Sequence, residues 1–171
     1  FRCAGSREYV EWVDRLLRGE PKPAPEVRDS ESRFPVTVVE DPGVMDEALR
    51  RHRAEGRTVR LLAAYGRQWK TKAERAPHGL PAARKDFDIP YVRDGVIHEW
   101  ARIWNYAPDQ DYTLFIQAPE GSAMHNDPLS EVGCPYVVRG FDWDYVGLLW
   151  LSDLVWRKDR WVAQLEHVHE S

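Results

Sequence analysis

The chain has 171 residues, 43% of them hydrophobic and 30% charged, with a net charge of −4; these values fit one domain with a real core and exclude a disordered chain. The acidic balance excludes bulk attraction to nucleic acid, so any such contact needs a local patch, and no apolar run reaches the roughly 18 residues of a membrane span. Two cysteines, Cys3 and Cys134, are too few for a disulfide scaffold and fit a cytoplasmic protein.

Ser6 is placed to cap a helix in which Tyr9, Trp12, Val13, Leu16 and Leu17 share one face, and Gly19 ends it. Residues 20–33 are rich in proline and charge and read as an exposed loop. Val36 to Val39 is β-branched and reads as a strand. Asp41-Pro42 opens a second helix to about Ala54, with Val44, Ala48 and Leu49 inward and Gly56 closing it. Val59 to Ala64 is a buried strand, so the three elements form a βαβ unit with parallel pairing. Arg50, Arg51, Arg53, Arg57 and Arg60 crowd this junction. They read first as a solvated helix face, with cations near the negative end of the dipole. The functional alternative is a nucleic-acid patch continued by Arg67, Lys70 and Lys72, with Trp69 as a base-stacking platform.

Over residues 73–111 the periodicity fades, and prolines and glycines break the chain repeatedly. This long irregular insertion is functional, mobile or built of short elements, and Ile97 to Trp104 reads as a helical turn. Tyr112 to Ala118 reads as a strand by composition, and residues 120–130 as turns. His125 and Asp127 lack a third ligand and read as plain loop; His167 and His169 read as surface residues, and no metal site is assigned. Val132 to Cys134 and Tyr145 to Leu151 are apolar strands around a turn carrying Arg139, Gly140, Asp142 and Asp144. Polar groups between two core strands suit a phosphate, a ribose or a metal at the carboxyl ends of those strands, or form an ordinary turn. Leu154 to Trp156 and Trp161 to Ala163 make a terminal β-hairpin. The fold class is α/β, a mainly parallel sheet flanked by helices.

Gly133-Cys134, Gly140, Asp142 and Asp144-Tyr145-Val146-Gly147 resemble motif V of superfamily 1 helicases. The version they match is that of the Schlafen group-3-like DNA/RNA helicase domain, a family of ATPases. The opening FRCAGSREYVEWVDRLL is similar to that family's motif IV segment; Gly66, Trp69, Lys70 and Trp104-Asn105 also fall at family-like positions. Tyr136 stands where the family has His, and Arg139 where it has Gln, as in a divergent branch or one that has lost coupled unwinding. The resemblance implies a RecA-like domain of the P-loop NTPase type over residues 1–171, the second lobe of a larger motor. The chain has no G-x-x-x-x-G-K-[ST] phosphate loop. ATP with Mg²⁺ is then expected to be held mainly by an N-terminal lobe of the same protein, and the chain is expected not to hydrolyse ATP alone.

In that frame Arg2 reaches across the cleft to the γ-phosphate as the catalytic arginine, because a planar, permanently charged fork suits the transferring phosphoryl group. Arg139, Gly140 and Asp142 are the nucleotide contacts. Tyr136, Trp69 and Lys70 are the contacts to single-stranded DNA or RNA. Two other classes remain open: a degenerate lobe acting as a protein or nucleic-acid interaction module, and a nuclease using Asp142 and Asp144 to hold Mg²⁺.

Overall fold

The structure, a computed structural model, describes residues 7–20, 36–138 and 140–169. It divides into two compact units, residues 1–38 with 152–167 and residues 39–151 with 168–171. In the first unit Arg7–Leu17 forms helix α1. Gly19 at φ 68° lets the Glu20 amide donate to the Arg15 carbonyl at 3.0 Å, which closes the last turn. Tyr9, Trp12, Val13 and Leu16 are half-buried, whereas Leu17 is exposed. The expected cap Ser6 and most of the proline-rich loop lie outside the described residues.

The second unit opens with α2, Pro42–Ala54. Asp41 caps it by accepting from the amides of Gly43 (2.7 Å) and Val44 (3.3 Å), and Pro42 occupies the first turn, where no amide donor is needed. Its buried face is Pro42, Gly43, Asp46 and Leu49; Val44, expected inward, is exposed. The helix rotates that way because the carboxylate of Asp46 is pulled into the protein. It accepts from Arg50 Nε at 2.7 Å, Arg102 Nη2 at 2.7 Å and the Trp100 indole at 3.3 Å.

Val59–Ala63 (β1), Phe87–Arg93 (β2), Val96–Trp104 (β3), Glu131–Gly133 (β4) and Tyr145–Leu149 (β5) make one sheet in the order β2-β3-β4-β1-β5. β3, β4, β1 and β5 are parallel, and β2 is antiparallel on the outer edge. Val36–Val39, expected as a strand, forms none, and pairing with β1 is closed to it, because β1 has β4 on one side and β5 on the other. The expected βαβ unit is therefore absent, and the parallel partners of β1 come from later in the chain. Ile97–Trp104 belongs to β3 and is not a helical turn.

The stretch 73–111 thus contains a long hairpin, turned by Asp94 and Gly95 at φ 51° and 74°. These left-handed angles fit a type I′ turn, for which Asp-Gly is a strong signal. Pro90 obscures that signal but is tolerated because β2 lies at the sheet edge. Thr113–Ile116 (α3) replaces the expected strand; Asp111 starts it by accepting from the Thr113 amide at 3.0 Å. Ala123–Asn126 (α4) follows, capped by Ser122.

Leu61, Val132, Phe87 and Trp104 are fully buried at the centre of the core, and Leu49 brings α2 onto the sheet. Gly147 sets the distance of approach there. A Cβ at this position would lie 2.7 Å from Leu49 Cδ1 and 2.9 Å from Met45 Sδ, so the helix rests on bare backbone. In the first unit Leu154–Arg157 (β6) and Arg160–Ala163 (β7) form the expected hairpin. Among the described residues no helix is long and apolar enough to cross a membrane.

Candidate functional site

Because β3, β4, β1 and β5 are parallel, their carboxyl ends share one edge of the sheet, the place where open α/β sheets bind ligands. Trp104 ends β3 fully buried, and aromatic rings gather around it. Tyr65 lies 5.1 Å away, Phe87 5.6 Å and Trp69 6.4 Å, while Tyr136 meets Tyr65 at 6.5 Å. Trp69 is half-buried against Trp104 and carries Lys72 over its ring at 5.7 Å. Beside it opens a cavity of about 380 Å³ whose lining includes Trp69, Lys72, Arg75 and Tyr112 together with the acidic residues Glu74 and Asp109. Among the described residues Lys72 and Arg75 have no carboxylate partner.

A buried polar framework holds this edge. Asn105, in the left-handed region at φ 34°, accepts from the Cys134 amide at 3.0 Å and ties the end of β3 to the end of β4. The carboxylate of Glu131 is buried; it meets His78 Nε2 at 2.9 Å and accepts from the Tyr106 amide at 2.9 Å. Asp86, fully buried, accepts from the Thr71 amide (3.0 Å), the Thr71 hydroxyl (2.5 Å) and the Trp104 amide (2.8 Å). Three donors on one carboxylate fasten the loop bearing Trp69 to the end of β3. Nothing local in the sequence marks Asp86, Asn105 or Glu131 as framework, because their partners lie 15 to 53 positions away.

The residues expected in a functional role fall in different places. Trp69, Lys70 and Tyr136 lie beyond the carboxyl ends of β1 and β4; Lys70 is exposed, with Nζ at 3.4 Å from the Ala83 carbonyl. Arg2 and Arg139 lie outside the described residues. Gly140 has φ 86° with open space where a Cβ would be, and Asp142 is exposed. Residues 134–144 run from the carboxyl end of β4 to the amino end of β5, so the turn does not sit as one unit at the carboxyl edge. Asp144 instead holds the amino edge. It accepts from the amide (2.8 Å) and hydroxyl (2.9 Å) of Thr58, whose hydroxyl oxygen in turn accepts from the Asp144 amide (2.9 Å).

Those bonds from Thr58, the amide foremost, hold the Asp144 carboxyl below its ordinary value of 3.8. A carboxylate with a depressed folded pKa contributes stability above its unfolded pKa, and that contribution is lost as pH falls through the folded value. The stability difference between wild type and Asp144→Asn, measured by denaturant unfolding, is expected to be constant above about pH 5 and to shrink below about pH 4. The nuclease reading loses support here, because Asp144 is engaged in the fold. Among the described residues no group of three or more His, Cys, Asp or Glu is placed to hold a metal.

The arginine cluster is also largely structural. Arg50 and Arg53 both bond Asp127, and Arg67 reaches the Asp86 carbonyl at 3.5 Å. Arg60 is buried, donating to the carbonyls of Pro128 (3.1 Å) and Glu131 (3.2 Å). Burial pushes its guanidinium down to about 10, with Glu131 and Cys134 working the other way. Asp127 is thereby accounted for without a metal. Arg51 and Arg57 remain exposed.

Taken together, a mainly parallel α/β sheet carries aromatic rings and free cations beyond its carboxyl edge. A family model described as Schlafen group 3, DNA/RNA helicase domain, matches residues 1–170. The chain belongs to that family, and is helicase-like in that sense. No curated protein and no solved structure matches it. Within the family pattern Gly147 and Asp144 have structural roles, and so does Gly133, where a Cβ would meet Val137 Cγ2 at 2.5 Å.

Proposed function

We propose that the chain is the second, RecA-like lobe of a nucleic-acid-dependent ATPase. In this reading the nucleotide with Mg²⁺ is held mainly by a preceding lobe, and Arg2, Arg139, Gly140 and Asp142 reach it across the cleft. Single-stranded DNA or RNA passes the carboxyl edge, where Trp69 and Tyr136 offer ring faces and Lys70, Lys72 and Arg75 offer charge. The observation that supports this most is Trp69 beside Lys72 and Arg75, neither of which has a carboxylate partner among the described residues. The second reading, a degenerate lobe serving as an interaction module, is favoured by the outer strand β5, where Val146 and Leu148 are exposed.

The test is ATP hydrolysis by the full-length protein with and without single-stranded DNA or RNA, wild type beside Arg2→Ala and Tyr136→Ala. Loss of an arginine at the transferring phosphate is expected to lower turnover about a thousandfold. Tyr136→Ala is expected to weaken stimulation by nucleic acid while leaving basal hydrolysis intact. Hydrolysis unchanged by Arg2→Ala would remove that residue from the site, and a wild type without hydrolysis would favour the interaction module.

A further inference from the structure

The β6–β7 hairpin carries an arrangement that its own stability does not explain. The register places Arg157 directly opposite Arg160. Like charges opposed across a ladder destabilise it, and an isolated two-stranded ribbon is already marginal. The turn between them is Lys158-Asp159, both left-handed at φ 49° and 61°. Asn-Gly would adopt those angles with less strain. Three cations therefore occupy four consecutive positions, offset by Asp159 alone, in a chain whose net charge is −4. Arg157, Lys158 and Arg160 are exposed, and none has a carboxylate partner among the described residues. One pair further in, Trp156 and Trp161 meet edge to face at 5.3 Å and hold the ribbon closed against the repulsion.

We infer that this hairpin tip is a contact for the phosphate backbone of single-stranded nucleic acid, additional to the residues proposed above. Two arginine forks side by side match phosphate oxygens, and a phosphate between them relieves their mutual repulsion. The contact is to backbone and carries no sequence preference. The inference rests on the nucleic-acid reading above, and its test separates the two.

The experiment measures binding of the full-length protein to labelled oligo-dT and oligo-U by fluorescence anisotropy over a series of salt concentrations. Each single-strand phosphate contact contributes about 0.7 to the slope of log K against log salt. Arg157→Thr with Arg160→Thr is expected to make the slope shallower by about 1.4 and to weaken binding severalfold. Thermal stability is expected to hold or rise, since a threonine pair suits the ladder and the repulsion is gone. Lys158→Asn fits the left-handed turn; it is expected to make the slope shallower by about 0.7 while raising the melting temperature. Arg157→Lys with Arg160→Lys keeps the charge and is expected to keep most of the slope. Intact binding with an unchanged slope in the threonine and asparagine variants would overturn this inference alone, and leave an acidic protein as the candidate partner. A wild type that binds neither oligonucleotide would overturn both it and the nucleic-acid reading.

Discussion

Replacing Asp86 by alanine is expected to destabilise the second unit by about 3 kcal/mol or more, read as a lower denaturation midpoint at unchanged slope. The side chain is fully buried and has three donors on it, the amide and hydroxyl of Thr71 and the amide of Trp104. Alanine leaves all three without an acceptor and away from water, at about 1–3 kcal/mol for each buried group. Asp86→Asn is expected to fall between alanine and wild type. One oxygen faces the Thr71 amide and the other the Thr71 hydroxyl and Trp104 amide, so an amide NH₂ on either side meets a donor. An unfolding free energy in the alanine variant within about 0.5 kcal/mol of wild type, the range of ordinary surface changes, would contradict this account.

Asp46→Ala is expected to cost about 3–5 kcal/mol, the range for removing one partner from a buried charged group. Asp46 joins α2 to β3 through Arg102, whose guanidinium also lies over the Trp100 ring at 4.9 Å. Without the carboxylate, Arg102 keeps its charge in a largely enclosed place and Trp100 loses its acceptor. Arg50→Ala removes only the outer, half-exposed arm of the same group. It is expected to cost less than about 1 kcal/mol, as surface ion pairs do. Equal losses in the two variants, measured by urea unfolding, would show that burial of Asp46 carries no special weight.

The contrast between these carboxylates and the elements around them shows what a sequence makes visible. α2 is legible at both ends, because Asp41, Pro42 and Gly56 act within a few residues of themselves. β4, β5 and the β6–β7 hairpin are legible as short apolar runs bounded by turn residues. Val36–Val39 has the composition of a strand, but strand formation needs a neighbour, and its expected partner β1 is paired on both sides. Tyr112–Ala118 has the residue types of a strand, yet Asp111 starts a helical turn there. Val44 belongs to an apolar stripe by spacing, and the demand of Arg102 and Trp100 for a carboxylate turns Asp46 inward instead.

The candidate site divides in the same way. The sequence marks Trp69 and Lys70 as an aromatic residue among cations and Tyr136 through the family resemblance, and the structure packs Trp69 on Trp104 and Tyr136 on Tyr65, with Tyr65 against Trp104. The cavity wall formed by Pro108, Gln110 and Tyr112 was not legible, since it belongs to a stretch without periodicity. Nor were Lys72 and Arg75 distinguishable from the arginines of α2 by composition. The difference lies in Asp127, which neutralises Arg50 and Arg53 from 74 to 77 positions away.

The position of β1 has a consequence for how the chain acquires its shape. Leu61 pairs with Val132 on one side and with Gly147 on the other, so this interior strand is made early and both its neighbours late. During synthesis the β2–β3 hairpin can close on itself as soon as it emerges, whereas β1 has no strand beside it until Glu131 and the residues after it have been made. Contacts of such long sequence separation slow folding. A chain cut anywhere before Tyr145 would leave Leu61 and Ala63 without their β5 neighbour, and so would expose an edge of a strand that is almost wholly buried.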